Sequence, residues 1–371
     1  MAKINVHTNS KKYPVYIGNN GVEELLTYVI KIQNINNPIL IITDTNIPFR
    51  YYELIKKRLE ESGFKIHLQQ VLAGERAKQF EFYQSCLTSC IQSELNRKSL
   101  IIALGGGVVG DLAGFVAATY LRGIRFIQVP TTLLAHDSAI GGKVAINHPL
   151  GKNLIGAFHQ PEAVFFHLPF MKTLPEREWV SGFAEMIKEA MLADVELLQY
   201  LMDNVTSIRQ IHGNHLEDMI SSCIQIKANI ISEDEQENGA RAYLNLGHTL
   251  GHAIEGAQET DLRSHGECVA IGVLFALKLS VEITGLDFDV QKFEKWLRYF
   301  GYLNIQQNEF TKQDLIGFLK RDKKVQDGKV KFVLLRKIGN PVIKELEFDY
   351  LEEKIGEFLD EIRLFKLQPK L

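Results

Sequence analysis

The sequence predicts an α/β protein in which an N-terminal parallel-sheet domain is followed by a mainly α-helical C-terminal domain. Up to about residue 175, short apolar or β-branched runs alternate with helical patterns, which is typical of a parallel sheet with helical crossovers. Beyond that point helical periodicity dominates the chain. A chain of 371 residues, 46% of them hydrophobic, is also long enough to form two domains.

The individual elements follow in chain order. The predicted strands and helices of the first half are the strand Pro38–Thr43, the helix Pro48–Ser62, the strand Ile66–Val71, the helix Ala77–Glu94, and the strands Ser99–Leu104 and Arg125–Val129. In the second half, Lys329–Leu335 is the main run that resembles a strand. We place the domain boundary between Leu174 and Gly182, which predicts domains over residues 1–178 and 179–371.

Composition excludes several classes of protein. The net charge is −3 with acids and bases interspersed, so neither a nucleic-acid footprint nor a basic membrane face is expected. The four cysteines form no CxxC pair and the N-terminus lacks the apolar core of a signal peptide, which favours a cytoplasmic protein. The apolar stretch Leu100–Leu121 is long enough to span a bilayer, but its triple glycine and Asp111 favour a buried strand, a loop and a buried helix.

A glycine loop follows the strand Ser99–Leu104. Gly105, Gly107 and Gly110 satisfy GxGxxG, so backbone amides at a helix N-terminus could hold a pyrophosphate in a Rossmann-like domain. The motif does not lie in the first βα unit, and no acid follows about twenty residues downstream. Asp44, at the end of an earlier strand, is the better candidate for ribose hydroxyls. The alternative is that the glycines only allow close packing of a helix on a strand.

Two further clusters of polar residues suggest binding sites. Residues 129–157 are rich in Thr, Asp, Gly, Lys and Asn, and Lys143, Lys152 and Asn153 are suited to an anion. In the second half Glu185 lies upstream of NLGHTLGH, whose histidines, His248 and His252, share one side of a helix. A carboxylate and histidines from different helices are typical ligands of a catalytic divalent metal, although a helix face with a solvated ion pair explains isolated members equally well.

These motifs together resemble the 3-dehydroquinate synthase family. The resemblance is carried, in order, by GGGVVGDLAGFVAATYLRGIRFIQVPTTLL, GGK, PLGKNLIGAFHQP, SGFAEMIK, NLGHTLGHAIE, HGE and RDKK, and it extends from Asp44 to Lys324. It implies an NAD- and metal-dependent lyase that converts 3-deoxy-D-arabino-heptulosonate 7-phosphate to 3-dehydroquinate and phosphate. The implied sequence is transient oxidation by NAD, phosphate elimination, reduction, ring opening and intramolecular aldol closure.

The resemblance also implies a role for individual residues. One divalent metal, zinc or cobalt, would be held by Glu185, His248 and His265. The implied NAD-binding residues are Asp44, Asn46, Glu75, Lys78, Gly106, Gly107, Val108, Asp111, Thr131, Thr132, Lys143, Lys152, Phe170 and Thr173. The implied substrate-binding residues are Arg122, Asp137, Lys143, Asn153, Lys188, Lys227, Arg241, Asn245, His252, Lys323 and Lys324. The implied catalytic residues are Glu237, His252, Lys143, Asn153, Lys188 and Arg241.

Three other functions remain open at this stage. A related sugar-phosphate cyclase whose substrate lacks a carboxylate would leave Lys227 and Arg241 unpaired. A metal- and NAD-dependent polyol dehydrogenase would release NADH, and the clustered lysines favour a phosphorylated anion instead. A non-catalytic binding module would need neither metal ligands nor a cofactor loop. The expected assembly, from resemblance, is a homodimer.

Overall fold

The protein is described here by a computed structural model covering residues 1–211, 214–258, 262–306, 309–320, 325–326 and 328–364. The chain divides into two compact units, each of which is discontinuous in sequence. The first unit contains Met1–Pro175 and Gly213–Glu237. The second contains Glu176–His212 and Asn238–Leu371.

The part of the first unit before residue 176 alternates strands and helices. In chain order it contains β1 (Ala2–His7), β2 (Lys12–Gly18), α1 (Gly21–Ile32), β3 (Ile39–Asp44), α2 (Phe49–Glu61), β4 (Ile66–Val71), α3 (Phe80–Gln92), β5 (Leu100–Gly105), α4 (Gly107–Thr119), β6 (Arg125–Pro130), α5 (Ala135–Ser138), β7 (Lys143–His148), β8 (Gly151–Phe158) and β9 (Val164–His167).

A seven-stranded sheet forms the centre of this unit, in the order β1-β2-β9-β6-β5-β3-β4. Only the pairing of β1 with β2 is antiparallel; the pairs from β2 to β4 across the sheet are parallel. All residues of β3 and of β5 are buried. Parallel strands that are covered by helices on both faces have continuous apolar sequences. This explains why β3 and β5 could be predicted from the sequence.

The helices pack on the sheet through one apolar face. In α2 the buried residues Tyr51, Ile55 and Leu59 recur every four positions, and they join a core that includes Ile41 of β3 and Ile102 of β5. On the other face of the sheet, α4 is almost wholly buried. The segment Leu100–Leu121 is therefore a strand, a loop and a buried helix followed by a short 3₁₀ turn, as predicted.

The remaining chain is mainly helical. In order it contains α6 (Glu176–Ala193), α7 (Val195–Asn204), α8 (Asn214–Glu233), α9 (His248–Ala257), α10 (His265–Thr284), α11 (Val290–Tyr299), α12 (Lys312–Leu319), β10 (Val325–Gln326), β11 (Lys329–Lys337), β12 (Asn340–Glu347) and α13 (Phe348–Leu364). Of these, α8 belongs to the first unit, where it packs beside β1 and β2. None of the described helices is both long enough and apolar enough to cross a bilayer.

The predicted fold class is confirmed, and the structure adds elements that the sequence reading omitted. The helix predicted from Ala77 begins at Phe80, because Glu75–Lys78 forms a 3₁₀ turn and Gln79 is extended. Residues 129–157 were interpreted as a functional loop, but from Lys143 onward the chain forms the antiparallel hairpin β7–β8. The strands β1, β2, β9 and β12 were also not predicted.

Candidate active site

A crevice for a ligand is expected at the carboxyl ends of the parallel strands in the first unit's sheet. From β3 the chain first forms β4 on one side and then β5 on the other. Such a reversal leaves a crevice beyond the carboxyl ends of the two diverging strands, here those of β3 and β5. Asp44 ends β3 and Gly105 ends β5, so the two predicted cofactor motifs lie at the carboxyl ends of these strands.

The glycine loop leaves the backbone amides of α4 accessible to a ligand. Gly106 precedes the helix with extended backbone angles and supplies no side-chain cap. The first helical amides, from Gly107 and Val108 onward, have no carbonyl partner within the helix, and they favour an anion. Gly110 has a packing role, because a Cβ there would lie 2.5 Å from Gln128 Oε1. Close packing therefore accounts for Gly110, and the helix end without a side-chain cap is compatible with an anion.

Three hydroxyl groups surround this helix end. A Cβ on Gly106 would lie 2.8 Å from Thr132 Cγ2, and one on Gly107 would lie 2.8 Å from Ser138 Oγ. The hydroxyl oxygens of Thr131, Thr132 and Ser138 are buried and have no hydrogen-bond partner among the described residues. Buried hydroxyls without partners are uncommon, and they fit the oxygens of a bound pyrophosphate or ribose. Ser138 was not predicted, although its position directly after Asp137 was a possible signal.

Lys78 is the centre of a polar network beside this loop. Its side chain is 3% exposed, and Nζ lies 2.6 Å from Asp111 Oδ2 and 3.9 Å from Glu75 Oε1. It also donates a hydrogen bond to Asn153 Oδ1. Asn147 links the remaining members, since its Nδ2 donates to Glu75 Oε1 at 2.9 Å and its Oδ1 accepts from Asn153 N at 2.8 Å. Burial raises the pKa of Asp111 and the charge of Lys78 opposes that rise.

Asp44 presents a partly desolvated carboxylate at the same edge. Its Oδ1 accepts a hydrogen bond from Asn46 N at 2.7 Å, so the turn after β3 holds the side chain in place. Burial raises the pKa of Asp44, and the backbone amides of Asn46 and Ile47 only partly offset this effect. A carboxylate that accepts hydrogen bonds from ligand hydroxyls would recover part of the lost solvation.

Two lysine–carboxylate pairs connect the second segment of the first unit, Gly213–Glu237, to its first segment. Lys143 Nζ pairs with the carboxylate of Glu237, which has a left-handed backbone with φ of +62°. Lys227 Nζ, on α8, lies 3.0 Å from Asp137 Oδ1 and is 8% exposed. Anionic ligand groups could exchange with these carboxylates for the same ammonium groups.

The other predicted residues of the first unit lie in varied environments. Phe170 is a core residue that stacks on Tyr51 with ring centroids 4.1 Å apart, and Tyr51 Oη lies 2.8 Å from Thr173 Oγ1. Lys152 is exposed on β8. Arg122 lies just before β6, at the amino ends of the parallel strands, whereas Asp44 and Gly105 lie at the carboxyl ends. A six-residue strand spans roughly 20 Å, so the fold does not bring Arg122 to the crevice within its own chain.

The second unit contains a cluster suited to a metal ion. Glu185 lies in the middle of α6, whereas His248 and His265 are the first residues of α9 and α10. The Nε2 atoms of the two histidines lie 3.3 Å and 3.1 Å, respectively, from Glu185 Oε1. Two imidazoles and one carboxylate are a common ligand set for a catalytic zinc ion, which keeps further positions for substrate oxygens.

The charges in this cluster are strongly coupled. Burial tends to raise the pKa of Glu185, but Lys188 at 2.7 Å and His248 together hold it well below its ordinary range. Burial lowers the pKa of His248. Burial also tends to lower the pKa of His265, but hydrogen bonds with Glu185 and Glu255 outweigh it and raise the pKa to about 10. A buried ionised carboxylate facing imidazole nitrogens is suited to a divalent cation.

His252 is not part of this cluster. It is exposed, and its ring centroid lies 5.2 Å from that of His248. The described residues offer a second possible group of ligand atoms, from His252, Glu255 and His265, and neither group contains both histidines of NLGHTLGH. The assignment of His248, rather than His252, as the ligand stays a prediction.

Helix packing explains why the cluster forms. The N-terminus of α10 is closed by a capping box, in which Ser264 Oγ accepts from Glu267 N and the Glu267 carboxylate accepts from Ser264 N. Arg263, the residue before Ser264, holds this segment in place, because its buried guanidinium binds Glu309 and two backbone carbonyls. Gly272 allows α10 to touch α9, since a Cβ there would lie 1.9 Å from Gly247 O.

Two of the predicted substrate residues of the second unit are buried cations. Arg241 is 1% exposed, in a 3₁₀ turn over Ala240–Asn245, and Asn245 Nδ2 donates to Ala242 O at 3.2 Å. Lys188 is also 1% exposed. Buried cations of this kind are suited to carboxylate or phosphate groups. Lys323 and Lys324 lie outside the described residues.

Comparisons with known proteins agree on one family. Residues 68–181 match the family model "3-dehydroquinate synthase N-terminal", and residues 182–325 match "3-dehydroquinate synthase C-terminal". The chain is 45% identical over 361 residues to the 3-dehydroquinate synthase of Halalkalibacterium halodurans, covering 97% of this chain and 99% of that protein. It is 46% identical over 340 residues to that of Bacillus cytotoxicus, covering 91% of each.

Solved structures share the fold. A 2-deoxy-scyllo-inosose synthase, complexed with carbaglucose-6-phosphate, NAD⁺ and Co²⁺, aligns with a TM-score of 0.87 and 25% identity over 96% of this chain and 100% of that one. The 2-epi-5-epi-valiolone synthase of Streptomyces hygroscopicus, with NAD⁺ and Zn²⁺ bound, aligns with a TM-score of 0.83 and 23% identity over 94% and 97%. From the two family matches and the near full-length relatives, this chain belongs to the 3-dehydroquinate synthase family.

Proposed function

We propose that this enzyme converts 3-deoxy-D-arabino-heptulosonate 7-phosphate to 3-dehydroquinate and phosphate. The observation that carries the proposal is the convergence of Glu185, His248 and His265, in a chain that also carries the open glycine loop. Relatives that are 45% and 46% identical to this chain bear the name of that activity. The reaction is a phosphate-eliminating carbon–oxygen lyase reaction with no net change in oxidation state.

The first unit would bind NAD, which supplies a hydride acceptor that is regenerated within the catalytic cycle. The donor set supports this assignment: a helix N-terminus with no side-chain cap, a carboxylate at Asp44, and buried hydroxyls of Thr131 and Thr132 that have no partner within the described part of the chain. Asp44 and Asn46 would bind a ribose, and Gly106–Val108 would bind the pyrophosphate. Lys78 and Asp111 would hold the loop in position around the cofactor.

The second unit would hold one divalent metal ion through Glu185, His248 and His265. The fit follows from the two imidazole nitrogens that face one carboxylate oxygen at hydrogen-bond distance. A zinc or cobalt ion there would polarise substrate oxygens. Lys188, which pairs with Glu185 Oε2, would stabilise the ionised carboxylate and remain within reach of an anionic substrate.

Cationic residues would bind the two anionic ends of the substrate. Arg241 offers a planar guanidinium suited to bidentate contact with a carboxylate, and Lys188 is another buried cation of the same unit. In the first unit Lys143, Asn153 and Lys227 would contribute further polar contacts. Lys143 and Lys227 pair with carboxylates, which substrate oxygens would replace, whereas the side chain of Asn153 accepts a hydrogen bond from Lys78.

Proton handling would involve Glu237 and His252, or the phosphate of the substrate itself. Glu237 pairs with Lys143, so a substrate anion that draws Lys143 away would free this carboxylate to accept a proton. His252 is exposed beside His248, and its imidazole could exchange protons with solvent. Comparing Glu237→Gln with His252→Gln in single-turnover phosphate release would rank the two groups.

Two alternatives are less well supported. A cyclase acting on a substrate without a carboxylate would not use the buried guanidinium of Arg241, which is suited to bidentate contact with a carboxylate. A polyol dehydrogenase would share the fold, since a structure described as a probable glycerol dehydrogenase of Sinorhizobium meliloti aligns with a TM-score of 0.62 and 16% identity over 94% of this chain and 97% of that one. That likeness concerns the fold alone.

Domain roles, location and assembly complete the proposal. Residues 1–178 would form the NAD-binding domain, and residues 179–371 would provide most metal and substrate ligands. The four cysteines are buried thiols that form no disulfide, which suits the reducing cytoplasm. A homodimer is expected because closed two-fold assemblies are the commonest among oligomeric enzymes, and light scattering after gel filtration measures it.

The test is a phosphate-release assay with the seven-carbon keto acid phosphate and catalytic NAD. We expect several equivalents of phosphate per NAD, with no accumulation of NADH. Accumulation of NADH in proportion to product would establish the dehydrogenase instead. Turnover of glucose 6-phosphate, with none of the keto acid, would establish the carboxylate-independent cyclase.

A further inference from the structure

We propose that Glu255 is a positioning residue for the metal centre, which orients the His265 imidazole and fixes which of its nitrogens carries the proton. This inference deepens the proposed function and rests on its metal centre. It concerns a residue with no role among the predicted ligands, cofactor contacts or substrate contacts.

The two nitrogens of the His265 ring face two different carboxylates. Nε2 lies 3.1 Å from Glu185 Oε1, and Nδ1 lies 3.3 Å from Glu255 Oε2. With Nδ1–H donating a hydrogen bond to Glu255, a metal ion would displace the proton from Nε2, whose lone pair then points towards the Glu185 and His248 cluster. Histidine ligands of metals usually donate their second N–H to a carboxylate or carbonyl in this way, and this contact sets both tautomer and ring orientation.

The position of Glu255 on α9 allows this contact. Residues seven positions apart lie on nearly the same face of an α-helix, two turns from one another. His248 and Glu255 are so related, and α9 packs closely on α10, which begins with His265. The helix α9 would therefore supply one ligand directly and orient a second ligand on the neighbouring helix.

Helix stability does not explain an acid at this position. Glu255 lies in the last turn of α9, which ends at Ala257. A carboxylate near a helix C-terminus interacts unfavourably with the helix dipole. Its side chain is 18% exposed, so it is also partly desolvated. A favourable contact with His265 offsets both costs.

The same atoms suggest one competing role. The ligand atoms of His252, Glu255 and His265 lie close enough to hold a metal ion themselves. In that case Nδ1 of His265 would be a ligand and would carry no proton. The Glu185 group is the more buried of the two and faces Nε2 of His265, which leaves Nδ1 to Glu255, so we favour the positioning role. Metal stoichiometry distinguishes the two roles.

The experiment compares Glu255→Gln and Glu255→Ala with the unmodified protein. Co²⁺ affinity is measured by competition with a chelator, bound metal is counted, and the visible spectrum of bound Co²⁺ is recorded. We expect one metal per chain in all three proteins, with affinity weakened about 10–100-fold in Glu255→Ala and less in Glu255→Gln, which keeps an acceptor oxygen. The Co²⁺ spectrum should change because the imidazole is reoriented.

Controls separate this role from general damage to the fold. Glu352→Gln removes an exposed acid on α13 of the same unit, and it should leave affinity and spectrum unchanged. The melting temperatures of the metal-free Glu255 variants should match that of the metal-free unmodified protein. A purely structural role would instead lower the metal-free melting temperature and leave the Co²⁺ spectrum of the remaining folded protein intact.

Several results would overturn the inference. Unchanged affinity and spectrum in both Glu255 variants would do so while leaving the metal centre standing, provided that Glu185→Ala abolishes binding. Two metals per chain, with only the weaker one lost in Glu255→Ala, would make Glu255 a ligand of its own site. If the unmodified protein binds no metal, both this inference and the proposed metal centre fail.

Discussion

The backbone amide of Gly266 donates a hydrogen bond of 3.1 Å to Ser181 Oγ. A Cβ at position 266 would lie only 2.0 Å from Ser181 O, so the start of α10 lies directly against α6. Ser181 is one helical turn before Glu185 on α6, and Gly266 follows His265. This one contact therefore sets the distance between two proposed metal ligands.

Gly266→Ala should displace His265 and weaken metal binding. The added methyl group meets backbone rather than a flexible side chain, and overpacking of this kind costs about 1–3 kcal/mol. We expect a lower melting temperature and a metal content well below one per chain after gel filtration. Gly356→Ala is the matched control, because its Cβ would make only ordinary contact at 3.4 Å and alanine favours a helix. Equal metal retention in both variants would contradict the argument.

His248→Ala and His252→Ala should differ in metal content. His248 Nε2 faces Glu185 Oε1 at 3.3 Å, whereas His252 is exposed and belongs to the other possible group. We expect loss of metal from His248→Ala, and one metal per chain with slower phosphate release from His252→Ala. Bound metal is counted by atomic emission after dialysis. Loss of metal from both variants would show that both histidines are ligands.

As the pH is lowered, NAD affinity should begin to fall at a higher pH than it would if Asp44 had the pKa of an ordinary aspartate. Burial raises the pKa of Asp44, and only its ionised form accepts hydrogen bonds from ribose hydroxyls with full strength. Affinity is therefore complete well above this raised pKa and is lost as the pH falls through it. The measurement is fluorescence titration with NAD from neutral pH downwards.

Asp44→Asn provides the control for that titration. It should weaken NAD binding about 10–100-fold at neutral pH, as expected for a lost hydrogen bond to a charged group. It should also remove the dependence on pH in this range. Because a raised pKa means that the fold disfavours the ionised form, unfolding free energy above the ordinary pKa should rise or stay equal in this variant. An unchanged pH profile would assign the titration to another group.

Lys78→Met should destabilise the first unit by about 3 kcal/mol, because Asp111 would keep a poorly solvated charge without its partner. Adding Asp111→Asn should recover part of that loss in a double-mutant cycle measured by urea unfolding. Lys56→Met, which breaks an exposed pair with Glu60 at 3.6 Å, should cost less than about 0.5 kcal/mol. Additive effects of the Lys78 and Asp111 substitutions would exclude the coupling.

The elements that the sequence predicted are those that local pattern specifies. The strands β3 and β5 are buried along their whole length and therefore read as uninterrupted apolar runs. The strand β8 is mostly exposed, and its lysine, asparagine and glycines resemble a loop. Helical periodicity identifies α8 as a helix but does not say that it packs beside β1, because the partner of an apolar face is set by tertiary structure.

The residues of the candidate site also differ in whether a local sequence pattern indicates them. Motifs pointed to Glu185, His248 and His265, and the structure brings their donor atoms within 4.8 Å of one another. The buried hydroxyl of Ser138 and the contact of Glu255 with His265 depend on distances between separate segments, which no local pattern encodes. Arg122 shows the converse, since a residue suggested by its motif lies at the far edge of the sheet.

The discontinuity of the first unit has a consequence for synthesis of the protein. When the ribosome has made β9, the sheet of that unit is complete, but α8 has not yet been translated. The 37 residues from 176 to 212 come first, and at about 5–20 residues per second they delay α8 by about 2–7 s. During that interval the nascent sheet carries β1 without its covering helix, so a chaperone that binds apolar surface would have its best opportunity there.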